Sequence, residues 1–267
     1  MPRSETTTQV TGSNHPPVVD YAHADQYTLS IRVSADGFCF AVHHPEQAEK
    51  FAFLPYDIDP LVPVVANLRQ AREEIPMLQQ AYGKVQFLLT DAPCQVIPAE
   101  YAVEQLSACS LRFPDRPEVV SFSVEDAVVK WTEEVFPKAQ FYPGLYPVLR
   151  FAFQHEGCLC HLHGRRMDMV SVAYGRLNLV NTFEIGTASD ALYYLLGTWQ
   201  ALGLSQQDDL LTIVGRSACK RELKAKASRF IRRVEEPLPA QVFHTTELAR
   251  LSAVPFDLQC LTAYLQP

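Results

Sequence analysis

The stretch MVSVAYGRLNLVNTFEIG (169–186), continued by TASDALYYLLGTWQALG (187–203) and, after a short link, LLTIVGRS (210–217), decides the fold of this chain. Residues 169–174 and 177–183 alternate apolar and polar side chains, the period of a strand with one buried face. Between them Gly175-Arg176 makes a two-residue link suited to a hairpin. Thr187 with Asp190 three residues on is a capping-box pattern, in which the threonine oxygen takes a free amide of the first helical turn. Leu192, Leu195, Leu196, Trp199 and Leu202 then share one helix face, and Gly203 ends it. The apolar run 210–214 reads as a buried strand. The unit is hairpin, helix, buried strand.

A second copy of this order lies nearer the N-terminus. Residues 27–33 alternate through Tyr27, Leu29, Ile31 and Val33, Asp36-Gly37 marks a turn, and 38–43 alternate again. A third strand is expected at 51–54. Asp59 and Pro60 suit the cap and first turn of a helix over 60–82, kinked at Pro76 and ended by Gly83. A buried strand at 85–89 follows. The later copy runs 158–163, 169–174, 177–183, helix 188–202 and strand 210–214. Further elements are expected around these cores. They are a strand at 94–97, a helix at 99–108, a strand at 119–123, a helix at 125–136, a strand at 140–141 and a bridging helix at 146–156. Beyond the second core come a helix over 218–233, a strand at 241–243 and short C-terminal helices. The expected class is α/β, with two duplicated domains, 26–145 and 146–267, each a mixed five-stranded sheet flanked by helices, facing across a cleft. Residues 1–25, rich in Ser, Thr, Pro and His, read as a disordered tail.

The totals agree with a globular chain of 267 residues, 48% of them apolar and 20% charged. A net charge of −7 disfavours non-specific nucleic-acid binding by the chain as a whole. No apolar run reaches the roughly 18 residues of a membrane span, and the N-terminus lacks a secretory signal's apolar core. Seven cysteines, an odd number outside a secretory context, favour free thiols and a cytoplasmic location.

Three antiparallel strands, a helix and a parallel strand, twice over, resemble the ribonuclease-H-like domain pair of the actin-like ATPase superfamily. The phrases YTLSIRVSADGFCFAV (27–42), GRLNLVNTFEIGTASDALYYLLGTWQALGL (175–204) and LLTIVG (210–215) look like an uncharacterised bacterial domain-of-unknown-function family with that fold. The resemblance spans 27–261. It implies the fold and no established activity.

Active members of that superfamily hold nucleotide through an Asp-x-Gly phosphate loop in each first hairpin. The acid holds hydrated Mg²⁺, and the flexible backbone approaches the phosphates. Here the matching positions in the first half are Ser30, Ile31 and Arg32, so the acid is gone; Asp36 and Gly37 come a few residues late, at the turn. In the second half His161, Leu162 and His163 stand there, followed by Gly164 and Arg165, which can still meet an anion. The adenosine motif, a glycine pair in the superfamily, is reduced to Gly215-Arg216-Ser217 at a helix start. The vestigial loops Asp36, Gly37, Gly164, Arg165, Gly215, Arg216 and Ser217 are the cofactor-binding candidates. No bound cofactor is the expectation, with residual ATP and magnesium binding as the alternative. No catalytic residue is assigned.

The segment Cys158-Leu159-Cys160-His161-Leu162-His163 carries metal-ligand residue types, but strand geometry sends the cysteines to one face and the histidines to the other. Four ligands from this segment cannot surround one ion. The expectation is a core-facing cysteine pair, a histidine pair near the cleft, and no metal. The segment 220–233 holds seven basic residues against the single acid Glu222. Lys220, Lys224, Arg229, Arg232 and Arg233 are the candidate partner-binding residues. The favoured reading is a non-catalytic interaction or scaffold module that binds an unknown protein or a copy of itself. The first alternative is a nucleotide-binding switch or ATPase with rearranged cleft residues Asp36, Arg165 and Arg216. The second is a nucleic-acid-associated protein acting through the basic helix 220–233, although no aromatic residue is interleaved on its charged face.

Overall fold

The computed structural model describes residues 19–47, 49–102, 109–237 and 253–264. They form two units, one of residues up to Gly144 with Ala253 and Val254, the other of residues 145–237 with 255–264. Both are mixed α/β units built on a five-stranded sheet.

In the first unit, β1 (Thr28–Ser34), β2 (Gly37–His43) and β3 (Phe51–Tyr56) form an antiparallel meander. Strands β4 (Lys84–Leu89) and β8 (Gln140–Pro143) add in parallel, giving the order β3-β2-β1-β4-β8. Leu29, Ile31 and Val33 pair with Val42, Phe40 and Phe38, so one face is uniformly apolar. Helices α1 (Val64–Glu74) and α2 (Asp126–Val135) cover that face through Leu68, Ala71 and Trp131, and the Phe87 ring meets Trp131 edge-on at 6.3 Å.

Helix α1 is much shorter than the expected 60–82. Asp59 does not cap it: its carboxylate accepts from Leu61 N at 2.9 Å, and Asn67 Nδ2 donates to Asp59 O and Val62 O, tying the loop into a turn. The helix begins after Pro63 and stops at Ile75, whose extended backbone is the conformation that a following proline enforces. A separate 3-10 turn, Pro76–Gln79, follows.

The helix expected at 99–108 is corrected over its described residues, 99–102. Ala99–Tyr101 is one 3-10 turn, 103–108 lie outside the described residues, and Cys109–Arg112 is strand β6. It pairs with β7 (Glu118–Phe122), whose other edge takes β5 (Cys94–Pro98). Of the tail expected to be disordered, residues 1–18 lie outside the described residues. Tyr21–Gln26 is a 3-10 helix whose first amides are capped by Asp20, which also binds His23 at 2.7 Å.

The second unit repeats the plan. Strands β9 (Gly157–His163), β10 (Arg166–Ala173) and β11 (Arg176–Glu184) form the meander, and β12 (Leu210–Arg216) and β13 (Arg233–Glu235) add in parallel, in the order β11-β10-β9-β12-β13. Cys158, Cys160, Leu162, Met167, Met169, Leu211 and Ile213 make one apolar face. Helices α4 (Ala188–Ala201) and α5 (Lys220–Ala227) cover it with Leu195, Trp199, Leu223 and Ala227. The capping box forms as expected: Thr187 Oγ1 accepts from Asp190 N, and the Asp190 carboxylate accepts from Thr187 N and Gly186 N. The opposite face of the sheet lies against α3 (Leu145–Ala152) and α6 (Phe256–Tyr264).

The basic helix expected over 218–233 ends at Ala227. Ile231 and Val234 continue a helix-like spacing, yet the chain turns and lays Val234 beside Leu211 as an edge strand. The strand expected at 241–243 lies outside the described residues. No described helix is long and apolar enough to cross a membrane.

Candidate functional site

Each unit's first hairpin sits where a phosphate loop is expected, so the chemistry of those positions decides what can bind. On β1, Ser30 and Arg32 point away from the apolar face, and Arg32 is only 5% exposed. A neutral hydroxyl, Ser30, therefore stands where Mg²⁺ chemistry needs an acid, and Arg32 stands in the place of the loop glycine. The Ser34 hydroxyl binds the Asp36 carboxylate, and Arg32 lies 3.9 Å from the same group. Asp91, just past β4, accepts from the Ala35 amide at 2.7 Å and from Ser34 Oγ at 3.3 Å. That loop amide already serves a carboxylate of its own unit. The residues do not fit a magnesium-held polyphosphate, and Asp36 and Gly37 serve as the hairpin turn.

A cavity of about 560 Å³ opens beside this loop, at the carboxyl ends of the parallel strands β1 and β4. Its walls are mainly apolar, among them Val33, Ile58, Val62, Leu89, Val124 and Val128, and its charged lining residues are Asp91 and Glu125. Among the described residues, no Lys, Arg or His lines it. Leu61, between two lining residues, is 93% exposed.

In the second unit Gly164, Gly215 and Ser217 come together. Ser217 Oγ donates to Gly164 O at 3.3 Å, and Lys220 Nζ donates to Gly215 O at 2.9 Å. Gly215 has φ +85°, and a Cβ there would lie 2.1 Å from Leu162 O. The glycine is required by the close approach of β12 to β9, a structural demand rather than room left for phosphate. Arg216 is the last residue of β12, paired with His163. Arg165 lines a separate small cavity of about 290 Å³ with Arg166 and Glu184, a lining of mixed charge.

A polar cluster is buried under α6. His161 and His163 stack on one face of β9, ring centroids 4.9 Å apart, and β10 places Asp168 opposite His161. Asp168 Oδ2 lies 2.9 Å from His161 Nδ1 and 3.0 Å from His163 Nε2, and Thr182 Oγ1 of β11 donates to Asp168 Oδ1 at 2.7 Å. The three residues are buried, with His163 the most exposed at 8%. Burial pulls the Asp168 carboxyl upward, but hydrogen bonds from the two histidines outweigh it and hold the group below the usual carboxylate range. Burial pushes His161 down, against the opposing hydrogen bond to Asp168. Cys158 and Cys160 face the opposite side, in the apolar core, as expected from strand alternation, and burial raises the Cys158 thiol to about 12.

Asp168 was not among the sequence candidates. Its signal lies in hairpin arithmetic: folding the chain about Gly164-Arg165 pairs 163 with 166, 162 with 167 and 161 with 168. Aspartate and histidine at equal distances from a two-residue link share a face.

The basic segment is largely committed within its own unit. Lys220 and Lys224 bind Glu236 at 2.8 and 3.0 Å, and Arg233 donates to Asp208 O at 2.7 Å. Arg229 and Arg232 follow α5 in an exposed turn. The continuous basic helix that would track a nucleic-acid backbone does not form.

The model of a family described as protein of unknown function (DUF3822) matches residues 17–114 and 110–234. None of the curated proteins compared matches the chain. Among solved structures, a protein of actin-like ATPase fold and unknown function from Bacteroides thetaiotaomicron VPI-5482 superposes with TM-score 0.78 at 23% identity, covering 92% of this chain and 98% of that one. The PilM–PilN type IV pilus biogenesis complex matches with TM-score 0.52 at 11% identity over 89% of this chain and 97% of that one. At these identities the likeness shows the fold, which is the actin-like ATPase fold.

Proposed function

This chain belongs to the family described as protein of unknown function (DUF3822), and from that premise we propose that it is a non-catalytic protein-interaction module of actin-like fold. The observation that carries the reading is the cavity beside the β1–β2 turn. It lies at the carboxyl ends of parallel strands, the usual ligand side of such sheets. A nucleotide placed there would bring phosphates against Asp91 and Glu125 with no cation among the described lining residues to receive them. An apolar side chain flanked by Lys or Arg suits the same walls and rim, with exposed Leu61 as a further contact. The occupant is therefore a short protein segment carrying an apolar anchor and a neighbouring basic residue. The likeness to a structure described as a PilM–PilN complex supports the use of this fold in binding a protein partner.

The test is selection of displayed random peptides on the immobilised chain. Enriched peptides should combine a large apolar residue with Lys or Arg, and bind Val62→Asp and Glu125→Lys at least tenfold more weakly than wild type. Both positions are exposed, so neither change disturbs the core. Failure to enrich peptides, or binding indifferent to both substitutions, overturns the reading. A rise of several degrees in the unfolding midpoint with Mg²⁺-ATP, ADP or GTP would replace it with the nucleotide switch.

A further inference from the structure

We propose that His161, His163 and Asp168 form a binding site for one divalent transition-metal ion of the zinc class. The proposal stands on the β9–β10 hairpin and is independent of the docking cavity in the other unit. The three candidate ligand atoms lie within 4.8 Å of one another. They come from adjoining strands whose register is fixed by backbone pairing, so the donors are gathered before any ion arrives.

Two imidazoles and a carboxylate are a donor set that suits Zn²⁺ and its neighbours, whereas Ca²⁺ and Mg²⁺ prefer oxygen alone. Tetrahedral zinc at its usual bond lengths separates its ligands by about 3.3 Å. The present separations of 2.9 and 3.0 Å from Asp168 Oδ2 are short of this by a few tenths of an ångström. Small rotations of the rings open them, with the ion replacing the shared protons. Thr182 already fixes the other carboxylate oxygen at 2.7 Å, the outer-sphere support that metal-bound carboxylates require.

Charge points the same way. The Asp168 carboxylate is buried in the cluster, and the fully buried Asp257 of α6 acts electrostatically on His161. A divalent cation offsets both. His163 is the most exposed of the three, which gives water its route to the fourth coordination position.

The experiment uses the full chain, stripped with a chelator and titrated with Zn²⁺ by calorimetry and with Co²⁺ by visible absorption. One ion per chain, a four-coordinate cobalt spectrum and an unfolding midpoint raised by several degrees in excess Zn²⁺ are expected. His163→Gln should weaken binding at least 100-fold with its circular dichroism retained. Thr182→Val, which leaves every ligand in place, should weaken it about tenfold. His23→Ala, at the exposed His23–Asp20 pair, should leave it unchanged. Should His163→Gln fail to fold, the Thr182→Val titration and the cobalt spectrum decide. No uptake by the stripped wild type, or uptake unaltered by Thr182→Val and His163→Gln, overturns the proposal and leaves a hydrogen-bonded polar cluster.

Discussion

At the scale of single residues, His43 shows how burial alone sets a pH response. It ends β2, 6% exposed, with no hydrogen-bond partner for Nδ1 among the described residues, and burial chiefly, then Lys84 and His44, depress its pKa to about 4. The folded state holds it neutral while the unfolded state titrates near 6.5. Protons therefore bind the unfolded chain preferentially in between. Stability from this residue is complete above pH 6.5 and falls as pH drops towards 4, by about 3 kcal/mol across the window. His43→Leu should flatten the fall in chemical-denaturation stability between pH 6.5 and 4 by that order. An equal slope in wild type and variant would show that His43 is not buried neutral. Residue chemistry of this kind was only partly legible in the sequence. Strand alternation placed Cys158 and Cys160 in the core correctly, because side-chain period two is a local property. Asp168 was missed because its meaning depends on the strand across from it.

At the scale of elements, the capping box at Thr187 was legible because both partners lie within one turn. The start of α1 was not: Asp59-Pro60 imitates a helix start, while the Asn67 side chain holds that segment in a turn. The end of α5 was hidden for a different reason. Ile231 and Val234 satisfy a helical period, and only the vacant edge of β12 explains why the chain becomes β13. The Gly215 crossing between β12 and β9 supplies a sharper test of packing. Gly215→Ala would set a Cβ against Leu162 O in a backbone region that disfavours side chains, and should cost about 3 kcal/mol. Gly197→Ala, mid-helix in α4 with nothing within 4 Å of the added carbon, should instead stabilise by up to about 1 kcal/mol. Opposite shifts in thermal midpoint are the expected pair. A neutral Gly215→Ala would mean the close approach is not maintained in solution.

At the scale of the whole molecule, the repeated strand order carried more information than residue identity. Two meanders with parallel additions made the fold legible, and the orders β3-β2-β1-β4-β8 and β11-β10-β9-β12-β13 are the same plan. Function was less legible, since the superfamily's motif residues are replaced, the acid by Ser30 and the glycine by Arg32 in the first unit. The shared plan predicts matching patterns of protection in hydrogen exchange. Amides of the central strands β1, β4, β9 and β12 should exchange slowest in their own units, and those of the short edge strands β6 and β13 fastest among strands. Protection highest at an edge would contradict the pairing described.

The β9–β10 hairpin has a further consequence, for folding rather than for the finished protein. Side chains in a strand alternate, so a slip of one residue would turn Asp168 towards the apolar side and bring Met167 or Met169 against the histidines. A carboxylate without partners in such a place costs several kcal/mol. The same slip would turn Met167 and Met169 out of the apolar face, so the two penalties add. The aspartate makes the correct alignment the one in which its charge is answered, and so helps to specify the register of the hairpin.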